Sequence, residues 1–239
     1  MTVFPSVSRR QLLAMAGFGA ASALTGCSTV PPATGTQPQP LAPAIVTPIV
    51  IPPESQPDPA LIYAAEADGG FPLPAIPYKK IDPQFYRQRV IDPTGEPAGT
   101  VVVDTRARFL YLVESGGTAM RYGVSIGKDG FAWEGEGVIQ WRKKWPRWTP
   151  PDEMVARQPN LRKFSIANGG MDPGLKNPLG ARALYIFQNG QDTLYRLHGN
   201  PEWSSIGKAK SSGCVRFLNQ DIIDLYDRVP TKARIIVRQ

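Results

Sequence analysis

Residues 99–239 are predicted to form a mainly β unit, a compact sandwich or barrel with one or two short helices, behind a disordered Pro-rich tether. Three observations predict it. Alternating and β-branched runs begin at Val101 and recur to the end of the chain. Turn residues separate these runs, and one stretch alone has clear helical periodicity. Val101-Val102-Val103 and Phe109 to Val113 read as two strands around Asp104-Thr105-Arg106. Met120 to Ile126 reads as a third strand, ended by Gly127, and Gly137 to Trp141 as a fourth. Ala183 to Phe187 and Leu194 to His198 read as a hairpin turning at Asn189-Gly190, a pair suited to a tight turn. Asn219 to Val229 is the helix, with Asn219 as N-cap, Asp221 in the first turn, and Leu218, Ile222, Leu225 and Tyr226 on one face. Ala233 to Val237 reads as the final strand, and no internal repeat is present.

Composition narrows the chemistry. The chain has 239 residues, 42% of them hydrophobic, enough for a real core. Two Cys and one His leave no disulfide scaffold and no Cys/His zinc framework, and HExxH is absent. The formal charge is +7, and without Arg9 and Arg10 the balance is 25 basic against 20 acidic residues. That mild excess suits an anionic partner such as a wall polymer or a lipid surface. It falls short of a nucleic-acid footprint, and no nucleic-acid-binding motif is seen.

The first 27 residues read as an export segment. Ser8-Arg9-Arg10-Gln11-Leu12-Leu13 resembles a twin-arginine signal, and the apolar stretch from Leu12 to Leu24 is too short for a membrane anchor. It ends in Leu24-Thr25-Gly26-Cys27, which resembles a bacterial lipobox and implies lipidation of Cys27. Ser28 after it resembles lipoproteins sent to the outer membrane. Residues 28–60 hold ten prolines and only Glu54 and Asp58 as charges, the composition of a semi-rigid tether. Residues 61–98 are transitional: Tyr63, Phe71, Tyr78, Phe85 and Tyr86 could pack on the domain, but repeated Pro argues against long helices or central strands.

The chemistry centres on the sole His and the sole Cys beyond the lipobox. His198 ends a predicted strand and begins His198-Gly199-Asn200, and Cys214 lies 16 positions on, in Ser211-Ser212-Gly213-Cys214-Val215-Arg216. An imidazole touching a thiol lowers its pKa and can shuttle a proton to a leaving group. A lone Cys is more often a small core residue, and a lone His a structural one. Gly199 and Gly213 favour the functional reading, because each lets backbone approach a ligand closely.

With these residues the sequence resembles the L,D-transpeptidase family and its YkuD-type catalytic domain. That pattern is a His followed by a small residue, a spacer, and Ser/Thr-His-Gly-Cys. Val124-Ser125-Ile126-Gly127, Asn177-Pro178-Leu179-Gly180 and the closing strand after Thr231 add to the resemblance, which covers roughly residues 100–239. One departure stands out: Ser212 replaces the usual His before Gly-Cys. The resemblance implies peptidoglycan cross-linking without metal or organic cofactor. Cys214 attacks the third-position carbonyl of a tetrapeptide stem, His198 acts as acid and base, and the Gly199 carbonyl orients the ring. Backbone amides at Gly213 and Cys214 form the oxyanion hole. Arg216, Ser211, Ser212, Asn200 and Trp148 are expected to bind substrate; for Arg216 a structural ion pair with the following helix is the competing reading. Water as acceptor would give an L,D-carboxypeptidase, and a protein amine would give attachment of an outer-membrane protein to the wall. A wall-binding lipoprotein without turnover is the alternative of another class.

Trp133, Trp141, Trp145 and Trp148 cluster with Arg142, Lys143, Lys144 and Arg147. They read either as aromatics of a capping loop over a substrate cleft or as core packing with a solvated basic edge. Ser125-Ile126-Gly127-Lys128 and Ser205-Ile206-Gly207-Lys208 match S-x-x-K but lack the accompanying S-D-N and K-T-G.

Overall fold

In the computed structural model, which describes residues 51–52, 56–127, 133–211 and 213–239, the β-rich runs assemble into one nine-stranded mixed sheet. The chain first makes α1 (Pro59–Ile62) and a small hairpin of β1 (Glu66–Asp68) and β2 (Phe71–Leu73). The large sheet takes β3 (Gln88–Ile91), β4 (Val101–Asp104), β5 (Phe109–Val113), β6 (Thr118–Gly123), β8 (Gly135–Lys144), β9 (Arg182–Gln188), β10 (Gln191–Gly199), β12 (Val215–Phe217) and β13 (Arg234–Arg238). Their order is β12-β10-β9-β8-β13-β4-β5-β6-β3. Within this sheet only the β10/β12 and β13/β4 pairs are parallel. A second, two-stranded sheet joins β7 (Ile126–Gly127) to β11 (Ala209–Ser211). The helices are completed by α2 (Asp152–Arg157) and α3 (Asn219–Arg228).

The architecture corrects the expected sandwich or barrel. The large sheet is open, with β12 and β3 at its two ends, and β12 is tied back through paired backbone bonds between Ser125 and Arg216. Three α-helices and several short 3-10 segments occur among the described residues, where one or two short helices were expected. Among these residues no helix is long and apolar enough to cross a membrane. The predicted strand from Met120 to Ile126 divides at Val124 and Ser125. At Gly123 the Phe85 backbone comes so close that a Cβ would lie 2.3 Å from its carbonyl oxygen. Ser125 then leaves the sheet and bonds to Arg216.

Asn189 and Gly190 turn the β9–β10 hairpin with φ of 52° and 78°, the conformation of a tight two-residue turn. At α3 the expected cap is displaced by one residue. Leu218 occupies the N-cap position, and the Asn219 side chain instead accepts the Ala181 amide at 3.0 Å. The apolar face reads as expected: Ile222 and Leu225 enter the core with Leu184, Ile186, Leu197, Val215 and Phe217, and Tyr226 packs against its edge.

Residues 61–98 are more integrated than a transitional segment. β3 extends the sheet beside β6, and Tyr63 is buried with Ile81 and Leu218. The Tyr63 hydroxyl donates to Asp221 at 3.2 Å and accepts the Arg87 amide at 2.7 Å. Arg87 pairs with Asp224 at 3.1 Å, and Tyr122 donates to the same carboxylate at 2.7 Å. Asp221 itself is fully buried, and burial above all pushes its carboxyl up to about 7, with Asp224 adding repulsion and Arg87 and Tyr63 opposing. The folded state therefore holds a proton that the unfolded chain releases near pH 4, so stability falls as pH rises through this window. Between pH 5 and 7.5 the wild type is expected to lose about 3 kcal/mol relative to Asp221→Asn. Urea unfolding of both proteins at the two pH values checks this, because every other titrating group cancels in the comparison. A pH-independent difference would contradict it.

Candidate active site

Strand register puts the sole described Cys and the sole His on one face. Leu197 pairs with Val215, His198 with Arg216 and Gly199 with Phe217. Side chains alternate along each strand. Leu197, Val215 and Phe217 enter the core, so Arg196, His198, Cys214 and Arg216 take the opposite face. Cys214 precedes β12 by one residue, beside Arg196 in the continued register, and its thiol is hydrogen-bonded to the Arg196 backbone.

The ring is fixed before any substrate arrives. His198 is 4% exposed, and its Nδ1 lies 2.6 Å from the Gly199 carbonyl oxygen. A carbonyl can only accept, so Nδ1 carries the hydrogen and Nε2 keeps its lone pair. Burial pushes the ring pKa down to about 4; the positive charges of Arg216 and Arg196 push the same way, while the Gly199 and Pro178 carbonyls oppose. The Cys214 thiol moves upward. Burial raises it, and the Arg196 amide with the Arg196 and Arg216 charges only partly offsets this. Burial thus favours the neutral thiol and the neutral imidazole in the resting protein. In that state the proton must move as the sulfur attacks.

Two segments that supply the carbonyls around the ring are wedged together by Asn219. Its Oδ1 would lie 2.2 Å from a Cβ on Gly180 and 2.3 Å from one on Gly199, so both positions require glycine. Asn177 locks the neighbouring loop: its Nδ2 donates to the Pro146 and Asp172 carbonyls at 3.0 Å each, and its Oδ1 accepts the Leu179 amide at 2.9 Å. Sequence reasoning missed the positions of Asn219 and Pro178 around the ring. The Asn177-Pro178-Leu179-Gly180 run was the available signal for the second.

The remaining candidates separate. Gly213 has φ 122°, a conformation that favours glycine, immediately before Cys214. Arg216 makes no ion pair with α3 among the described residues; its Nε is buried without a hydrogen-bond partner, and burial lowers its pKa. Ser211 ends β11, whereas Ser212 and Cys27 lie outside the described residues. Asn200 spends its amide on the adjoining turn, donating to Ser205 at 3.0 Å and accepting from the Glu202 amide at 3.2 Å. Trp148 sits in the long β8–β9 connection, bonded to Met171 through the backbone and ring-to-ring with Phe164 at 6.3 Å. Trp145 is core packing, with its indole N–H on Asp68 at 2.7 Å, and Trp133 packs at the main core's edge. Trp141 alone of the four is exposed. Ser125 and Ser205 bond to the carbonyls of Lys208 and Glu202 and are structural. Among the described residues no group of three or more His, Cys, Asp or Glu is arranged for a metal ion.

A thiol and an oriented neutral imidazole on one sheet face, beside a cation, are the equipment of a cysteine-dependent acyltransferase. The L,D-transpeptidase catalytic domain, YkuD, matches residues 98–237, and the chain belongs to this family. YqjB of Bacillus subtilis, provisionally named an L,D-transpeptidase, is 28% identical over 170 residues, covering 71% of this chain and 75% of YqjB. ErfK/SrfK of Escherichia coli, named a probable L,D-transpeptidase, is 30% identical over 155 residues, 62% of this chain but only 46% of that protein. A solved structure from Brucella melitensis, named a probable carnitine operon oxidoreductase, is 46% identical and covers 64% of this chain and 94% of that one, with a TM-score of 0.46.

Proposed function

We propose that the protein cross-links peptidoglycan by two-step acyl transfer from a tetrapeptide stem, and the placement of His198 and Cys214 on one sheet face carries this reading. Cys214 Sγ attacks the third-position carbonyl while His198 Nε2 takes the thiol proton. The imidazolium so formed is stabilised by the carbonyls of Gly199 and Pro178. It then protonates the leaving D-alanine amine, giving a thioester. An acceptor amine attacks next, His198 takes its proton, and the restored thiol leaves. Backbone amides at Gly213 and Cys214 hold the oxyanion. The Arg216 guanidinium, without an ion pair among the described residues, binds a stem carboxylate. Ser211, Ser212, Asn200 and Trp148 complete the substrate contacts. No metal or organic cofactor takes part.

The same reading assigns residues 1–27 to a twin-arginine-type signal with a lipobox and lipidation at Cys27. Residues 28–60 are the linker, 61–98 the transitional segment and 99–239 the catalytic domain of a periplasmic protein anchored at the outer membrane. Incubating the protein with disaccharide-tetrapeptides and separating the products by mass is the test. Cross-linked dimers with release of D-alanine are expected. Tripeptides alone would make it an L,D-carboxypeptidase, and unchanged substrate would overturn the assignment.

A further inference from the structure

The sheet face that carries Cys214 does not stop at the catalytic pair. Arg196, beside Cys214, pairs with Tyr185 on β9, and Tyr185 pairs with Trp141 on β8. In the next row His198 pairs with Ala183, and Ala183 with Lys143. Two neighbouring rows therefore run across β10, β9 and β8, starting beside the thiol. Along the first, the Arg196 guanidinium lies 4.5 Å from the Tyr185 ring centre, and Lys143 Nζ covers the same ring at 5.8 Å. The row ends at Trp141, 56% exposed and set against Phe187 with ring centres 4.9 Å apart.

From this geometry we infer that Trp141 and Lys143 form a subsite for the amino sugar that carries the stem peptide, an inference that rests on the proposed acyl transfer. Three strand spacings of about 4.8 Å put Trp141 about 14 Å from the thiol. An extended chain covers that distance in about four residues. The first three stem residues and the lactyl group joining them to the sugar have this reach. With its third carbonyl at Cys214, a stem lying along the row delivers its sugar to the indole. An exposed indole offers a flat apolar platform for the C–H face of a pyranose. Lys143, on the same face, complements the free carboxylates of the stem, whereas Arg196 is already held by Asp192 through two hydrogen bonds of 2.7 Å.

The test measures binding with turnover removed. In the full chain carrying Cys214→Ala, dissociation constants are measured by calorimetry for disaccharide-tetrapeptide and for bare tetrapeptide. The disaccharide is expected to tighten binding about tenfold when Trp141 is present. That gain should fall below twofold in Trp141→Ala and survive in Trp141→Phe, which keeps an aromatic face and guards against a folding effect. No gain from the sugar, or an equal gain in Trp141→Ala, overturns the subsite. Trp141-dependent self-association without sugar, read by sedimentation, also overturns it and gives the face to a second copy of the chain. Trp141-dependent binding of the disaccharide with no binding of the bare peptide supports the subsite and counts against acyl transfer from stems.

Discussion

Cys214→Ala is expected to reduce release of D-alanine from tetrapeptide by at least about 10⁴-fold, with the protein still folded. Each tenfold loss is about 1.4 kcal/mol of barrier, so the change removes more than about 5 kcal/mol of transition-state stabilisation. The sulfur is the electron-pair donor of the first step, and a methyl group offers none. The fold should tolerate the change, because Cys214 is half-buried and precedes a strand held by Val215 and Phe217 in the core. Steady-state turnover together with circular dichroism of both proteins checks the prediction. Turnover within tenfold of wild type would remove Cys214 from the reaction.

His198→Gln is expected to cost about 10²- to 10⁴-fold, the usual range for loss of a positioned base, and to change the shape of the pH profile. A base works when unprotonated. With the ring held down to about 4, the wild type should keep its rate to pH 5 and lose it only below that. An ordinary His would begin to fail near 6.5. In the Gln variant the residual rate follows the thiolate fraction, so it should climb about tenfold per pH unit into the alkaline range, because burial raises the thiol. Stability carries the same signature. The unfolded chain takes up a proton at His198 below about 6.5 that the folded chain refuses until about 4, so native stability falls by about 3 kcal/mol as pH drops through that window. This slope opposes that of Asp221. Rate profiles from pH 4 to 10 for both proteins test it; parallel profiles would show that His198 is not the base.

Local signals account for the parts of the fold that were legible. Val101 to Val113 announces two strands through β-branched and aromatic alternation, and Asn189-Gly190 names its own turn. The catalytic candidates were legible because the sequence offers so few: one His, and one Cys beyond the lipobox. Long-range contacts account for the rest. Nothing near Met120 signals that Phe85 will press on Gly123 and end the strand. Nor does a proline-rich stretch reveal that Tyr63 and Arg87 will be buried against α3. Asn219 looked like a helix cap because its local context is that of a cap; the Ala181 amide, 38 positions away, claims it instead. The protonation states could not be read at all, since burial sets both and burial belongs to the whole fold.

Intact-mass analysis of protein quenched in acid after brief exposure to a synthetic tetrapeptide, followed by peptide mapping, interrogates the acyl step itself. The chain should gain the mass of the tripeptide acyl group at the Cys214 sulfur, with one D-alanine freed for each adduct. Release of D-alanine with the adduct on another side chain would contradict the mechanism, as would a sulfur that stays unmodified throughout turnover.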